Sequence, residues 1–285
     1  MRRTFAVLLL LSFRLAAQQV ADPEFDARVA SPRYARSHPR LLFDEGHHNV
    51  HRTSTTYKAF ADLLANDGFR IETNSERFTA RSLAPYRVLV IAGALGAPLD
   101  DPAANAPAFT PDEVAAVRDW VRRGGGLLLL TDHEPVASAE AALTEAFGIV
   151  PSRRVVVDSE HAMPRMHPSN VVATRENGLL AAHAITAGAQ RVMVFGGQAL
   201  RFPRGATILI RTGAQARNDD GGAVDGNAQA GALRYGRGRV VVTADMGMLS
   251  AQLFTENGTT SPWGMNVPGI DNRALVLGIA HWLAR

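Results

Sequence analysis

Short, continuously apolar runs alternate with amphipathic segments along most of the chain. Residues 87–92 (RVLVIA), 127–130 (LLLL) and 239–243 (RVVVT) lack regular polar positions, which indicates strands that are buried on both faces. Helical spacing lies between such runs, as in residues 110–121, which open with a capping box and a proline at the first helical position. The alternation predicts an α/β fold: a flavodoxin-like, doubly wound, mainly parallel sheet with helices on both faces.

The sequence divides into three segments. Residues 1–17 have the pattern of a signal peptide, with an Arg-Arg start, an apolar run and small residues before Gln18, so we expect an exported protein, periplasmic or secreted. Residues 18–39 are polar and contain three prolines, which indicates an irregular lead-in. Residues 40–285 are predicted to form a single domain. Within it, residues 218–231 are rich in Gly, Asp, Asn and Ala and are expected to form an exposed, mobile loop.

Composition narrows the chemistry and the partners. The chain has 285 residues, 46% of them hydrophobic, and no cysteine, which excludes disulfides, thiolate metal ligands and a cysteine nucleophile. The net charge of +3 falls to zero without Arg2, Arg3 and Arg14 of the leader, so we expect no nucleic-acid partner. No later apolar run reaches the roughly 18 residues of a membrane span, so we expect no stable membrane insertion. Nothing in the pattern indicates an oligomeric state.

Polar side chains cluster directly after the predicted strands. Ligands of an open parallel sheet bind beyond the carboxyl ends of its strands, so these residues are the candidate site. The simpler reading is that each aspartate only caps the helix that follows, but this does not explain loops that combine carboxylate with imidazole. The predicted catalytic residues are Asp132 and His133, and the predicted ligand-binding residues are Asp44, Glu45, His47, His48, Glu134 and Asp245.

Three functions are compatible with this set of residues. The first is binding of a small polar molecule, such as a sugar or glycan. The second is hydrolysis, with Asp132 as base or nucleophile and His133 or His47 as proton carrier. The third is a structural or interaction domain that uses no ligand.

A metal could assist the hydrolase. His47, His48 and His51 are suitable zinc donors if another loop supplies Asp132 or His133, but their spacing is not a recognised metal signature. Dinucleotide, phosphate-loop and GxSxG motifs do not occur, and we expect no other cofactor.

Several segments resemble the class I glutamine-amidotransferase-like superfamily, and within it an uncharacterised branch of exported prokaryotic domains. They include residues 41–47 (LLFDEGH), 83–92 (LAPYRVLVIA) and 235–242 (YGRGRVVV), which Asp245 follows. The resemblance implies a flavodoxin-like fold with a pocket at the carboxyl ends of the strands. Catalytic members carry cysteine at the turn where this chain has Thr131-Asp132-His133, so the resemblance implies no glutaminase activity.

Overall fold

The computed structural model describes residues 18–256 and 258–285, and the predicted leader lies outside them. The helices are α1 (Lys58–Asn66), α2 (Ala80–Leu83), α3 (Pro111–Arg122), α4 (Val136–Ala139), α5 (Ala141–Glu145) and α6 (Asn272–Leu283). The strands are β1 (Gln18–Ala21), β2 (Arg40–Asp44), β3 (Arg70–Asn74), β4 (Val88–Ala92), β5 (Gly126–Leu130), β6 (Val150–Pro151), β7 (Val156–Val157), β8 (Asn170–Thr174), β9 (Arg191–Phe195), β10 (Leu200–Arg201), β11 (Thr207–Arg211), β12 (Arg217–Asn218), β13 (Ala228–Tyr235), β14 (Gly238–Thr243), β15 (Ala251–Glu256) and β16 (Thr259–Gly264). Within the described residues, no helix combines the length and the apolar character that a bilayer span needs.

The central sheet has nine strands and is mixed. Its order is β3-β2-β4-β5-β14-β13-β10-β6, with β11 also paired to β13. The strands from β3 to β14 are parallel, whereas β13, β10, β6 and β11 pair antiparallel. The predicted flavodoxin-like, mainly parallel, doubly wound sheet is therefore wrong. The physical reason is the connection between β13 and β14: only Gly236 and Arg237 separate them, and so short a link makes an antiparallel hairpin.

Two neighbouring parallel strands, β4 and β5, are buried on both sides. All five residues of β4 and all five of β5 are buried. Val88 and Val90 belong to a core cluster that includes α1 and α6, while Leu89 and Ile91 belong to the cluster that includes α3. The loops after these strands therefore start from fixed positions.

A small antiparallel sheet, β1-β15-β16, stands apart from the central sheet. Its first strand lies in residues 18–39, the segment predicted to be irregular, and pairs Gln19 with Phe254. Strand β1 therefore connects the N-terminal end of the described chain to the hairpin formed by β15 and β16.

The prediction that residues 218–231 form a mobile loop is wrong for the last four of them. Residues 228–231 are buried within β13. The small side chains are required there, since a Cβ on Gly231 would lie 2.6 Å from the ring of Phe202. Low apolar content here reflects close packing, and exposure is concentrated in residues 219–227.

Candidate functional site

Three aspartates lie at one edge of the central sheet. Asp44 ends β2, and Asp132 and Asp245 are each the second residue after β5 and β14. The register between β5 and β14 pairs Leu130 with Thr243, so Asp132 and Asp245 follow neighbouring parallel strands at equivalent positions.

Asp132 connects two loops through its carboxylate. Its Oδ1 accepts the backbone N–H of His133 at 2.8 Å, and its Oδ2 accepts the backbone N–H of Met246 at 3.2 Å. The main-chain oxygen of Asp132 accepts Nε2–H of Gln198 at 2.6 Å. The Asp132 side chain is 13% exposed, so a molecule in the adjoining cavity can reach it.

Asp245 is more deeply buried and is held by the backbone. Its Oδ2 accepts N–H of Phe195 at 2.7 Å, and its Oδ1 accepts N–H of Gly247 at 2.6 Å. A Cβ on Gly197 would lie 2.9 Å from the Cβ of Asp245, so the absence of a side chain there permits the close approach. Asp245 thus ties the loop after β14 to the end of β9.

Burial changes the protonation of both carboxyl groups. Burial raises the pKa of Asp132 to about 7, although the hydrogen bonds from Met246 and His133 oppose the shift. Burial, and then repulsion from Asp132, raises the pKa of Asp245 well above its usual range. Both shifts favour the protonated form of the carboxyl, so either group can donate a hydrogen bond as well as accept one.

A cavity of about 650 Å³ lies against this pair. Phe195, Phe254 and Trp263 form part of its wall, with ring centroids 4.8 Å apart for Phe195 and Trp263 and 5.0 Å apart for Phe254 and Trp263. Phe254 belongs to β15 and Trp263 to β16. The small sheet therefore supplies an aromatic surface to a cavity whose carboxyl groups come from the central sheet.

Three imidazoles also line the cavity, and each has a hydrogen-bond partner. His51 is buried, its Nδ1 lies 2.7 Å from Oγ1 of Thr56, and burial lowers its pKa to about 4, so the ring is neutral. His133 is exposed and its Nδ1 donates to the main-chain oxygen of Glu134 at 2.9 Å. Its Nε2 lies 3.5 Å from Oδ1 of Asp132. Nδ1 of the third, His167, lies 2.8 Å from Oγ of Ser169.

The predicted site residues separate into two groups. Asp132, His133, Glu134 and Asp245 line the cavity. Asp44, Glu45, His47 and His48 do not line it.

Asp44 and His47 form a separate, buried network. Nδ1 of His47 lies 2.9 Å from Oδ2 of Asp44, and Nε2 lies 2.9 Å from Oε1 of Glu113. Burial lowers the pKa of His47, but the two carboxylates outweigh this effect and raise it. Amide groups of Asn49 and Asn74 donate to the Asp44 carboxylate, each at 3.0 Å. These contacts occupy the groups that we expected to bind a ligand.

The remaining two residues also have other surroundings. Glu45 accepts from the backbone N–H and the hydroxyl of Thr53, both at 2.8 Å, and so holds the loop that carries His51. His48 is exposed, with a φ of 46°, and belongs to a surface hollow next to His47.

The structure does not bring His47, His48 and His51 together as a metal-binding group. Among the described residues, one set of three such side chains has ligand atoms within 4.8 Å of one another, namely Asp158, Glu160 and His161. There Nδ1 of His161 lies 2.8 Å from Oδ2 of Asp158, a contact that accounts for the pair without an ion. We assign no metal or cofactor to the cavity.

Sequence reasoning missed the aromatic side of the site. Phe254 and Trp263 come from a hairpin beyond the last central strand, and its one charged residue in the sequence, Glu256, does not line the cavity. His167 also lines the cavity, although Pro164 and Pro168 on either side of it are typical of a surface loop. The one available signal was the pairing of two strand-length segments, residues 251–256 and 259–264, across a short connection.

Comparisons with known proteins identify the fold. No family model matches the chain, and no curated protein matches it. The mmIFT52 N-terminal domain is 18% identical, with a TM-score of 0.64 over 86% of this chain and 97% of that domain. A cytoplasmic protein of Salmonella typhimurium is 13% identical, with a TM-score of 0.50 over 87% of this chain and 99% of that one. A ThuA-like protein of Parabacteroides merdae is 16% identical, with a TM-score of 0.50 over 87% of this chain and 90% of that one.

These similarities correct the predicted family. The structural neighbours include a ThuA-like protein and the mmIFT52 N-terminal domain, not class I glutamine amidotransferases, so that assignment was wrong. The segments that suggested it, such as residues 83–92, encode a buried strand and its approach, which many α/β proteins share. At this level of identity the comparisons establish the fold alone.

Proposed function

We propose that this protein binds a small, uncharged polar ligand of carbohydrate type in the cavity next to Asp132. One observation carries the proposal: a carboxyl group at the end of a buried parallel strand shares a cavity of about 650 Å³ with the rings of Phe254 and Trp263. A sugar presents hydroxyl groups that need hydrogen-bond partners and C–H faces that pack on aromatic rings.

The charge of the lining disfavours an anionic ligand. Asp132, Glu134, Asp219 and Asp245 line the cavity, and no arginine or lysine of the described chain does. An anion would meet repulsion there without a compensating cation. The volume lies within the range of about 300–1,000 Å³ that small-molecule sites occupy.

Hydrolysis of such a ligand is a second candidate function. The supporting observation is the 3.5 Å distance between Nε2 of His133 and Oδ1 of Asp132, in a cavity where Asp132 changes protonation near neutrality. A group of that pKa can act as general acid or base at the pH of its surroundings. If no small ligand binds, the third function, a structural or interaction domain, becomes the better explanation of the cavity.

We also propose that residues 1–17 direct export. The two arginines, the apolar run and the small residues before Gln18 support this. Mass spectrometry of the protein from its native host should find an N-terminus at or near Gln18, the first residue of β1. Recovery of the intact leader from the cytoplasm would contradict export.

Binding is tested by calorimetry and thermal shift with neutral mono- and disaccharides, each compared with its uronic acid. We expect neutral sugars to bind and the acids to bind less well. Asp132→Asn and Trp263→Leu should each weaken binding by about tenfold or more, because each removes a direct contact. Asp225→Asn and Phe202→Leu are matched controls outside the cavity and should leave affinity unchanged.

Product analysis on any ligand that binds then separates the two candidates. If the protein is a hydrolase, Asp132→Asn lowers turnover far more than it lowers affinity. If no neutral sugar binds at millimolar concentration, or if the two cavity variants bind as wild type does, the carbohydrate proposal is wrong.

A further inference from the structure

A second cavity lies at the opposite edge of the central sheet. Its volume is about 410 Å³, and it is lined by parts of β11, β13 and α6 together with the segment before β11. It lies near the start of β14, where Arg239 pairs with Gly126 at the start of β5. This is the amino-terminal edge of the parallel strands, whereas Asp132 and Asp245 lie at the carboxyl-terminal edge.

The lining of this second cavity is cationic. Arg204 and Arg234 are exposed there, and neither forms an ion pair within the described part of the chain. No aspartate or glutamate of residues 18–256 or 258–285 lines the cavity. The other residues, 1–17 and 257, contain no carboxylate side chain in the sequence. The positive charge therefore has no carboxylate side chain to balance it.

Arg239 adds positive charge behind this lining, next to Arg234 on the neighbouring strand. It is directly opposite Arg234 in the β13–β14 pair, an arrangement in which like charges repel. Its guanidinium carbon lies 5.5 Å from the ring centroid of Trp282, and it donates through Nη1 to the main-chain oxygen of Arg285. Its Nε is buried and has no hydrogen-bond partner. A buried donor without an acceptor is unfavourable. Arg239 does not itself line the cavity, but an anion beside Arg234 would lessen the repulsion between the two guanidinium groups.

His183 provides a further donor. Its Nδ1 accepts the backbone N–H of Ile185 at 3.2 Å, so in the neutral ring the proton is on Nε2. Burial, and then the nearby Arg285, lowers the pKa of His183 and keeps the ring neutral. His183 and Trp282 both line the cavity, with ring centroids 5.8 Å apart. The site thus combines two guanidinium groups and an imidazole with an aromatic surface.

We propose that this second cavity binds a phosphate monoester, with Arg204 and Arg234 on the phosphate oxygens and Trp282 against the organic part. Guanidinium groups pair with phosphate oxygens in a bidentate manner, and a tetrahedral phosphate accepts more hydrogen bonds than a carboxylate does. The phosphate can belong to a small soluble molecule or to a lipid headgroup. The proposal is independent of the carbohydrate site, since the two cavities share no lining residue.

The test uses inorganic phosphate and phenyl phosphate as probes, with chloride added so that ionic strength is constant. We expect both to raise the melting temperature, and phenyl phosphate to bind more tightly because it also contacts the aromatic surface. Arg204→Gln and Arg234→Gln should each weaken binding by about tenfold. Arg211→Gln is the matched control, an exposed arginine on β11 that does not line the cavity, and should bind as wild type does. Circular dichroism establishes that each variant is folded.

A second arm separates the two sources of phosphate. Cosedimentation is measured with phosphatidylcholine vesicles that do or do not contain phosphatidic acid. Binding to the acidic vesicles alone that is lost in Arg234→Gln supports the site with a lipid headgroup as its source. Binding of soluble phosphates that is lost in the same variant supports it with a small molecule. If neither the soluble phosphates nor the acidic vesicles bind, or if Arg211→Gln weakens binding as much as Arg234→Gln does, the proposal is overturned.

Discussion

Asp132→Asn should stabilise the protein above neutral pH and destabilise it in acid. Burial raises the pKa of the Asp132 carboxyl from 3.8 to about 7. A shift of about three pH units corresponds to about 4 kcal/mol between the protonation states. The native state holds this proton more tightly than the unfolded state does. Ionisation of Asp132 therefore destabilises the native protein, by nothing below about pH 4 and by the full amount above about pH 7.

The amide also removes a hydrogen bond. Both oxygens of Asp132 accept backbone N–H groups, from His133 at 2.8 Å and from Met246 at 3.2 Å. An amide has one oxygen, so one of these bonds is lost at a cost of about 1–2 kcal/mol. Relative to wild type, the free energy of unfolding of Asp132→Asn should therefore be higher by about 2–3 kcal/mol at pH 8 and lower by about 1–2 kcal/mol at pH 4. Release of Asp245 from the repulsion of Asp132 acts in the same direction as the gain.

Thermal unfolding at pH 4 and pH 8 measures this crossover. For a chain of this size, about 1 kcal/mol corresponds to about 2 °C, so we expect the variant to melt about 4–6 °C above wild type at pH 8 and below it at pH 4. Asp225→Asn is the control, because its side chain is 68% exposed and should respond alike at both pH values. A difference between Asp132→Asn and wild type that does not change with pH would refute the argument from burial.

Three further substitutions test other parts of the structure. His47→Leu leaves the buried carboxylates of Asp44 and Glu113 without the imidazole that both contact, so chemical denaturation should show a loss of about 3–5 kcal/mol at pH 7. Asn272→Ala removes three hydrogen bonds to the main chain of Met193 and Met248, and the urea midpoint should fall by the equivalent of about 2–4 kcal/mol. Gly231→Val forces a side chain into the ring of Phe202, and the melting temperature should drop unless that ring can move aside, which a Phe202→Ala background would reveal as partial rescue.

The parallel part of the fold was predictable because it depends on local signals. Residues 88–92 and 126–130 form the expected buried strands. The capping box at Thr110 is confirmed: its hydroxyl accepts the backbone N–H of Glu113 at 3.4 Å, and the Glu113 carboxylate accepts that of Thr110 at 3.0 Å. A continuous apolar run indicates burial on both faces whatever its neighbours are, so such strands are evident from the sequence.

The antiparallel part was not predictable in the same way. The first half of β13, residues 228–231, is built from Ala, Gln and Gly, and this composition suggests an exposed loop. Gln229 is fully buried there, and Gly231 lies against Phe202, a residue outside the strand. Strand formation in such a segment depends on partners that are distant in sequence, and local composition does not contain that information.

The candidate site shows the same division at the level of single side chains. Asp44 and Asp245 carry the same signal, an aspartate at or just after the end of a buried parallel strand, and yet Asp44 is bound within a network while Asp245 lies against the cavity. Asp44 is occupied because His47, three residues further along the chain, turns back onto its carboxylate. Asp245 faces a cavity because β15 and β16, which follow it in the chain, bring Trp263 to that place. Strand polarity determines which edge of the sheet a side chain occupies, but what that side chain can bind depends on the elements that the rest of the chain places beside it.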